Sequence, residues 1–329
     1  MKSAVLDELK KNMGKYISGE ELSKKIGVSR TSVWKYINKL KEEGYVIESS
    51  TNKGYVLIES PDALYPNEIK GLMNTKLIGK EIVFLDSIDS TNNYAKKMGE
   101  KEFQEGTLII AEEQTAGRGR LGREWISPKG KGIWMTIMLK PDIKPEQAAQ
   151  ITLIASFAVV LGIRKICNID AMIKWPNDVV VKGKKLCGIL TEMGAEIDRI
   201  NYLIVGIGIN ANTDEVDFAN SGLGIATSIK IQKGEDIDRK LLISDIIKNF
   251  EKLYMDFIES GSIEYIIKDY KKVSATLGKD VRILAKGEEW HGIALDINSH
   301  GHLMVKMDDG KIKEISSGEV SVRGIYEYA

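Results

Sequence analysis

Cysteine is nearly absent from this 329-residue chain, with Cys167 and Cys187 as the whole complement. Two thiols cannot build a disulfide scaffold, so a reduced, cytoplasmic protein is the default expectation. Histidine is as scarce. His291, His300 and His302 all fall near the C-terminus, and no zinc-type ligand cluster can be assembled from them. Charge of one sign is not in excess either. The 47 Lys+Arg balance 47 Asp+Glu, which excludes a generally polybasic protein and confines any nucleic-acid contact to a local patch. The N-terminal stretch Met1–Leu22 lacks the apolar run of a signal peptide. No stretch approaches the roughly 18 apolar residues of a bilayer span, so neither export nor a membrane partner is expected.

What is present is a globular composition, 43% hydrophobic and 29% charged, of a length that suggests two or three domains. The local basic excess lies in residues 1–60, with 11 Lys+Arg against 8 Asp+Glu. Val5, Leu6, Leu9 and Met13 fall on one helical face. A second helix starts after Ser18, with Glu21 at capping-box spacing, and stops at Gly27. A third runs from Ser29 through Val33, Trp34, Ile37 and Leu40 to Gly44, which is helix-turn-helix spacing. Tyr45–Ile47 and Tyr55–Leu57 flank the turn Thr51–Gly54 as a hairpin, which completes a winged helix. Arg30, Thr31, Ser32 and Lys35 occupy the first turns of the recognition helix and Lys53 the wing tip, the positions that reach DNA. A winged helix used for protein contacts is the alternative.

Ser60–Asp62 and Tyr65–Asn67 carry two of the six prolines and read as a linker. Mixed α/β patterning follows, with strands at 82–85, 107–112, 133–139, 171–174, 178–181, 188–192 and 202–209 and helices at about 147–166, 239–258 and 262–273. From Thr276 onward, short β runs at 280–284, 291–297, 303–307 and 311–316 suggest a small barrel.

The strongest chemical signal is Gly117-Arg118-Gly119-Arg120-Leu121-Gly122-Arg123. Glycines let backbone N–H groups approach a ligand and guanidinium forks grip phosphate, so the segment reads as a phosphate clamp; the bland alternative is a solvated basic turn. No Gly-Lys-Ser/Thr follows, so it is not a P-loop. Lys174-Trp175-Pro176-Asn177-Asp178 bends between two strands, and Asp178 with Asn177 could hold a nucleotide-bound Mg²⁺ or simply form a turn. Lys182-Gly183-Lys184-Lys185 is a turn in which one lysine could face a carboxylate, although turn lysines are usually just solvated. Asp89-Ser90-Thr91-Asn92 has helix-capping chemistry compatible with ligand binding. Gly206-Ile207-Gly208-Ile209-Asn210 lacks the third glycine of a dinucleotide fingerprint. It would let a flat ligand lie on bare backbone with Asn210 at a base edge, or the glycines would admit a bulky neighbour.

Taken in order along the chain, these segments resemble the motifs of the bifunctional biotin protein ligases that also act as biotin operon repressors. The likeness spans Ser90-Thr91-Asn92, Gln114, the Gly-Arg run, Lys174–Asp178, Lys185–Leu190 and Gly206–Asn210. It implies a multidomain α+β protein. A winged helix-turn-helix would cover residues 1–62, a mixed α/β ligase domain of class II synthetase-like type 63–273, and an SH3-like β-barrel 274–329. It further implies a two-step reaction in which biotin and ATP give biotinyl-5′-AMP, and a lysine of the apo biotin carboxyl carrier protein of acetyl-CoA carboxylase then takes the acyl group.

By that resemblance Ser90, Thr91, Asn92, Gln114, Gly117, Gly119 and Gly188 line the biotin site. Arg118 and Arg120 hold phosphate or carboxylate, Lys185 neutralises developing charge, and Arg123, Lys174, Asn177, Asp178 and Asn210 face ATP, with Asp178 as the Mg²⁺ ligand. The Gly-Arg loop would fold over the adenylate, and the adenylate would favour a homodimer that binds operator DNA. Gly222–Ser228 carries no aromatic residue to stack on adenine, which departs from some family members. The competing readings are a ligand-sensing regulator without ligase activity and a lipoate or octanoate ligase.

Overall fold

The computed structural model describes residues 1–219, 225–285, 288–316 and 320–324 and divides into two compact units, Met1–Ala63 and Leu64–Ala329. In the first, helices α1 (Lys2–Lys11), α2 (Gly19–Ile26) and α3 (Arg30–Glu42) precede a hairpin of β1 (Val46–Ser50) and β2 (Gly54–Glu59). Ser18 caps α2 by accepting from the Glu21 N–H at 3.0 Å, and Ser29 caps α3 by accepting from Ser32 at 3.1 Å. The two helices meet at Gly27, left-handed at φ 72°. Gly54, at φ 99°, admits a close approach that no other residue allows, because a Cβ there would lie 2.2 Å from the Ile17 carbonyl oxygen.

The core of this unit is Val5, Leu6, Leu9, Leu22, Val33, Ile37, Leu40, Val56 and Leu57. Met13, expected on the apolar face of α1, and Trp34 of α3 lie outside it. Met13 follows the end of α1 and is 53% exposed, and Trp34 is 55% exposed. Val33, Ile37 and Leu40 already form the buried stripe of α3, and Trp34 sits one position round from it.

The second unit contains α4 (Pro66–Met73), β3 (Ile82–Leu85), α5 (Thr91–Gly99), β4 (Leu108–Ala111), β5 (Ile133–Leu139), α6 (Ala148–Cys167) and β6 (Met172–Lys174). After them come β7 (Asp178–Val181), β8 (Lys184–Ala195), β9 (Ile200–Ile209), α7 (Glu215–Ala219), α8 (Ile229–Lys233), α9 (Arg239–Ser260) and α10 (Glu264–Lys272). Pro66, expected in a linker, instead opens α4 at a first-turn position, where its missing N–H costs nothing. The lysine turn is shorter than expected. Lys182 (φ 48°) and Gly183 (φ 74°) make it, and Lys184 and Lys185 already belong to β8.

The seven strands order as β3-β4-β5-β9-β8-β7-β6, with β3 parallel to β4 and every other pair antiparallel. The largest core cluster joins one face of this sheet to α6 and α9. By length and composition Pro145–Cys167 could cross a membrane, but 72% of its apolar window is buried inside the unit, as in the core helix of a soluble protein.

The C-terminal strands β10 (Asp280–Ala285), β11 (Glu288–Ile297), β12 (Leu303–Met307), β13 (Ile312–Ile315) and β14 (Val320–Gly324) form an antiparallel sheet ordered β13-β12-β11-β10-β14. Its last strand had no counterpart in the sequence pattern. The inward residues Val281, Ile283, Ala294, Ile297, Leu303 and Val305 belong to the same core cluster as α6, so packing is continuous across residue 273.

One buried ion pair ties the ends of several elements together. Arg239, fully buried at the start of α9, donates to Glu112 at 2.9 Å and to the Gly132 carbonyl at 2.8 Å, and Glu112 also accepts from the Leu64 N–H at 2.7 Å. Removing one partner strands the other charge in a dry site. Arg239→Met is expected to cost about 3–5 kcal/mol in urea unfolding, with much of that recovered in the Glu112→Gln/Arg239→Met double variant.

Candidate functional site

The two faces of the seven-stranded sheet are unlike. On the face opposite α6, α5 covers Ile109, Met138 and Ile204 together with Ala95 and Phe103. The neighbouring positions on that face are glycines, because Gly188 stands opposite Gly208, and Gly206 lies between Thr136 and Leu190. These glycines do not leave bare backbone for a flat ligand in this structure. A Cβ at Gly206 would lie 2.2 Å from Asn92 Oδ1, one at Gly208 2.5 Å from Trp125 Nε1, and one at Gly188 3.0 Å from Trp125 Cζ3. The glycines admit Asn92 and the Trp125 indole.

Ser90, Thr91 and Asn92 are all buried at the start of α5. Ser90 is the N-cap residue but makes no side-chain capping bond. Asp89 is instead held below the usual carboxylate range, chiefly by the hydrogen bond from Asn93. Thr91 donates its N–H and its hydroxyl to Gln114 Oε1 at 2.9 and 3.0 Å, and Gln114 Nε2 donates to Ser127 Oγ at 2.9 Å. Thr136, wholly buried, lies 2.8 Å from Thr91 Oγ1 and 2.6 Å from Asn92 Oδ1. Asn92, expected at the ligand, has its amide committed elsewhere. It donates to the Leu190 carbonyl and to Glu192, and so ties α5 to β8. Thr136, Ser127 and Glu192 carried no motif and became visible only as partners across the sheet.

The Gly-Arg run forms a hairpin. Gly119 donates to Arg123 O at 2.7 Å and Trp125 to Gly117 O at 2.9 Å, and Leu121 stands at the tip in the left-handed region (φ 57°), 78% exposed. Gly117 is required by contact, since a Cβ would lie 2.3 Å from Trp125 O. Gly119 is not so confined, its nearest neighbour being 3.5 Å away. Arg118 is exposed and donates to Asn93 Oδ1 at 3.0 Å, and Arg123 is exposed too. Arg120 turns inward and donates to Asn177 Oδ1 at 2.8 Å, where burial holds its guanidinium below the ordinary value.

That contact joins the hairpin to the Lys174–Asp178 turn. Lys185 Nζ lies 2.8 Å from Asp178 Oδ1 and 5.3 Å from the centroid of the Trp125 ring. Lys174 is buried on β6. Asn210, expected to offer both amide edges to a base, donates Nδ2 to the Thr227 carbonyl at 3.0 Å and is 3% exposed. Thr227 in turn donates its N–H to the Lys185 carbonyl, and Lys185 N–H to Ile225 O. Gly222–Gly224 of the segment expected near adenine lie outside the described residues. Neither thiol belongs to this chemistry, since burial pushes Cys167 up to about 11 and Cys187 higher still. Among the described residues no group of three or more His, Cys, Asp or Glu could cage a metal.

In the first unit, Arg30, Thr31 and Lys35 are exposed on α3 and Lys53 on the hairpin turn, with its ammonium 5.6 Å from the Tyr16 ring centroid. Arg30 is paired with Glu20, and Ser32 is half-buried against the Ser29 hydroxyl. Thr31, Trp34, Lys35 and Asn38 share one helical face, so the exposed indole stands among polar residues.

Comparison with known proteins extends over the whole of this arrangement. The family model for the Biotin/lipoate A/B protein ligase family matches residues 84–210, an HTH domain model 2–56, and the Biotin protein ligase C terminal domain 276–323. The Bifunctional ligase/repressor BirA of Bacillus subtilis (strain 168) is 40% identical over 93% of this chain and 94% of its own length. Its namesake in Escherichia coli (strain K12) is 30% identical over 94% of both. The Biotin protein ligase from Aquifex aeolicus in complex with biotin and ATP superposes with a TM-score of 0.65 at 30% identity, covering 74% of this chain and 99% of that one.

The glycine face gives a test that needs no ligand. Gly208→Ala places a methyl against the Trp125 indole, and is expected to cost about 1–3 kcal/mol by overpacking and to raise acrylamide quenching of tryptophan fluorescence. The rise disappears in a Trp125→Phe background, and Gly119→Ala produces none.

Proposed function

This chain belongs to the biotin protein ligase family, in its bifunctional ligase/repressor branch, and on that premise we propose how its residues divide the work. The protein is an ATP-dependent biotin ligase and a biotin-responsive repressor. The observation that carries the residue assignments is the meeting on one sheet face of the Gln114–Thr91 network, the Gly-Arg hairpin and the Arg120–Asn177–Asp178–Lys185 cluster.

Biotin's own carboxylate attacks the α-phosphorus of ATP, the bond to pyrophosphate breaks, and biotinyl-5′-AMP forms. The ε-amine of a lysine on the apo carrier protein then attacks the acyl carbon, expelling AMP and leaving an amide. No protein nucleophile is needed, which agrees with two buried, high-pKa thiols. Ser90, Thr91 and Gln114 bind the ureido ring through short polar contacts, with Gly119 open to close approach and Gly117 and Gly188 seating Trp125 along the same wall. Asn92 sustains the floor beneath it. Arg118, Arg120 and Arg123 hold the phosphate and carboxylate, and Lys185 exchanges its Asp178 partner for the charge developing between carboxyl and α-phosphate, which is electrostatic stabilisation.

Lys174, Asn177 and Asp178 face the nucleotide. A single carboxylate beside an amide fits Mg²⁺ carried in by phosphates rather than a protein cage, and such an ion would offset phosphate charge. Asn210 acts on adenine through the 225–228 segment that it holds. Closure of the Gly-Arg hairpin shields the mixed anhydride from water.

For the DNA half, Arg30, Thr31, Ser32, Trp34, Lys35 and Lys53 form the operator face. A homodimer of the adenylate-bound form would present two such faces to a palindromic site. Supporting this, β8 beyond its pairing with β7 has a strand partner on one side only among the described residues, with Met193 44% exposed and Ile197 98% exposed next to it. The protein acts in the cytoplasm, where carrier and operator both reside.

The biotin adenylation assay is the primary test. With biotin, ATP and Mg²⁺, native mass spectrometry is expected to show retained biotinyl-5′-AMP, and intact biotin alone would favour a sensor without ligase activity. Octanoate competing equally with biotin would move the assignment to a lipoate-type ligase. Lys185→Ala is expected to keep measurable biotin binding while carrier labelling falls by on the order of 10²–10³-fold or more. Deleting residues 1–60 is expected to leave labelling intact. It should abolish biotin- and ATP-dependent retention on a fragment upstream of biotin synthesis or transport genes, and in the full chain that retention should fall steeply as salt rises.

A further inference from the structure

Trp175 lies in the middle of the Lys174–Asp178 turn, yet it is keyed to the C-terminal sheet. It is 1% exposed. Its backbone N–H donates to Thr276 Oγ1 at 2.9 Å and its indole N–H to the Gly301 carbonyl at 3.0 Å. Immediately before it, Ile173 donates its N–H to Val273 O at 2.7 Å and accepts from Ala275 N–H at 2.8 Å. The chain entering the C-terminal sheet is therefore laced to β6 by backbone and to Trp175 by side chain.

The acceptor loop is itself pressed onto the main core. Gly301 stands at φ 82°, and a Cβ there would lie 2.2 Å from Leu153 Cδ1 of α6. Two residues beyond Trp175, Asn177 accepts from Arg120 at 2.8 Å, and the next residue, Asp178, pairs with Lys185 at 2.8 Å. A five-residue turn thus has one end fixed to the chain entering the C-terminal sheet and the other in the charged cluster.

We propose that Trp175 is a positioning residue for the nucleotide half of the reaction. Through Thr276 and Gly301, the C-terminal sheet sets where Asn177 and Asp178 stand, and so governs ATP use without touching biotin. This rests on the reading above that Asn177 and Asp178 face the nucleotide. Among the described residues the biotin network of Thr91, Gln114 and Ser127 shares no hydrogen bond with this linkage, so the two substrates should respond differently.

The experiment is biotin-dependent ATP–pyrophosphate exchange on the full-length chain, with biotin affinity measured separately by calorimetry. Thr276→Val keeps the side chain's shape but removes the hydroxyl that receives the Trp175 N–H, Thr276→Ser restores it, and Trp175→Phe removes the indole donor. The expected result is a KM for ATP raised about tenfold or more in Thr276→Val and in Trp175→Phe, a biotin Kd within about twofold of the parent, and near-parental values for Thr276→Ser.

An unchanged KM for ATP in both variants overturns the proposal, as does a loss of biotin affinity parallel to the loss of ATP use, or a Thr276→Ser variant as impaired as Thr276→Val. Asn177→Ala separates the two levels. If it raises the KM for ATP while Thr276→Val and Trp175→Phe do not, only the positioning role falls. If none of the three raises it, the nucleotide assignment of the turn falls as well. Should one variant fail to fold, the other decides by the same criterion.

Discussion

The constraint on which the site depends is the absence of a Cβ at three adjoining positions on one face of β8 and β9. Gly188, Gly206 and Gly208 come together only because the opposite face of the same strands is packed against α6 and α9, which pins the register. A slip of one residue would turn Ile189, Ile207 and Ile209 toward the ligand side and the glycines into the core. With register fixed, Asn92 at Gly206 and the Trp125 indole at Gly208 reach the strands to within distances that a side chain would forbid, and the indole also rests tightly on Gly188. Asn92 in turn anchors α5, which carries Thr91 to Gln114, and Trp125 anchors the return of the Gly-Arg hairpin.

Electrostatics then follow from geometry. The chain is neutral overall, yet its cations converge where an anion is expected, and two of the inward ones have a placeholder: Asp178 for Lys185 and the Asn177 amide for Arg120. Such partners lower the cost of holding desolvated positive charge before a ligand arrives, and they can be exchanged rather than broken when phosphate does. A second set of charges stays fixed. Asp214 is held down to about 2 by hydrogen bonds from Lys131 and Lys230, and Arg239 with Glu112 fixes the end of β4 from which Gln114 projects. The exchangeable pairs line the site, and the fixed pairs support the segments that carry it.

The N-terminal unit solves a smaller problem with local means. Its caps and its Gly27 turn are set by near neighbours in sequence, its hairpin also leans on Ile17, and its core needs only one stripe from each helix. Trp34 shows how little margin separates core from surface on a short helix. One position of rotation places an indole in solvent beside Lys35 rather than against Leu40.

Much was legible in the sequence wherever short-range rules decide. Helix starts at Ser18 and Ser29, the wing glycine, the strands of the central sheet and the order of the ligand motifs follow from capping, turn chemistry and hydrophobic period. Pro66 was misread because a proline that opens a helix and a proline in a linker look alike without the helix behind it. The tertiary structure alone decided which glycines face which side chains, that Asn92 and Asn210 spend their amides on the protein itself, and that Thr136, Ser127 and Glu192 complete the network. It also decided that Trp175 belongs to the C-terminal sheet. These are contacts between residues far apart in the chain, set by strand order and by which face of each strand is buried. A sequence states each residue's chemistry and local backbone preference, but its partner across a sheet is chosen only when the whole core packs.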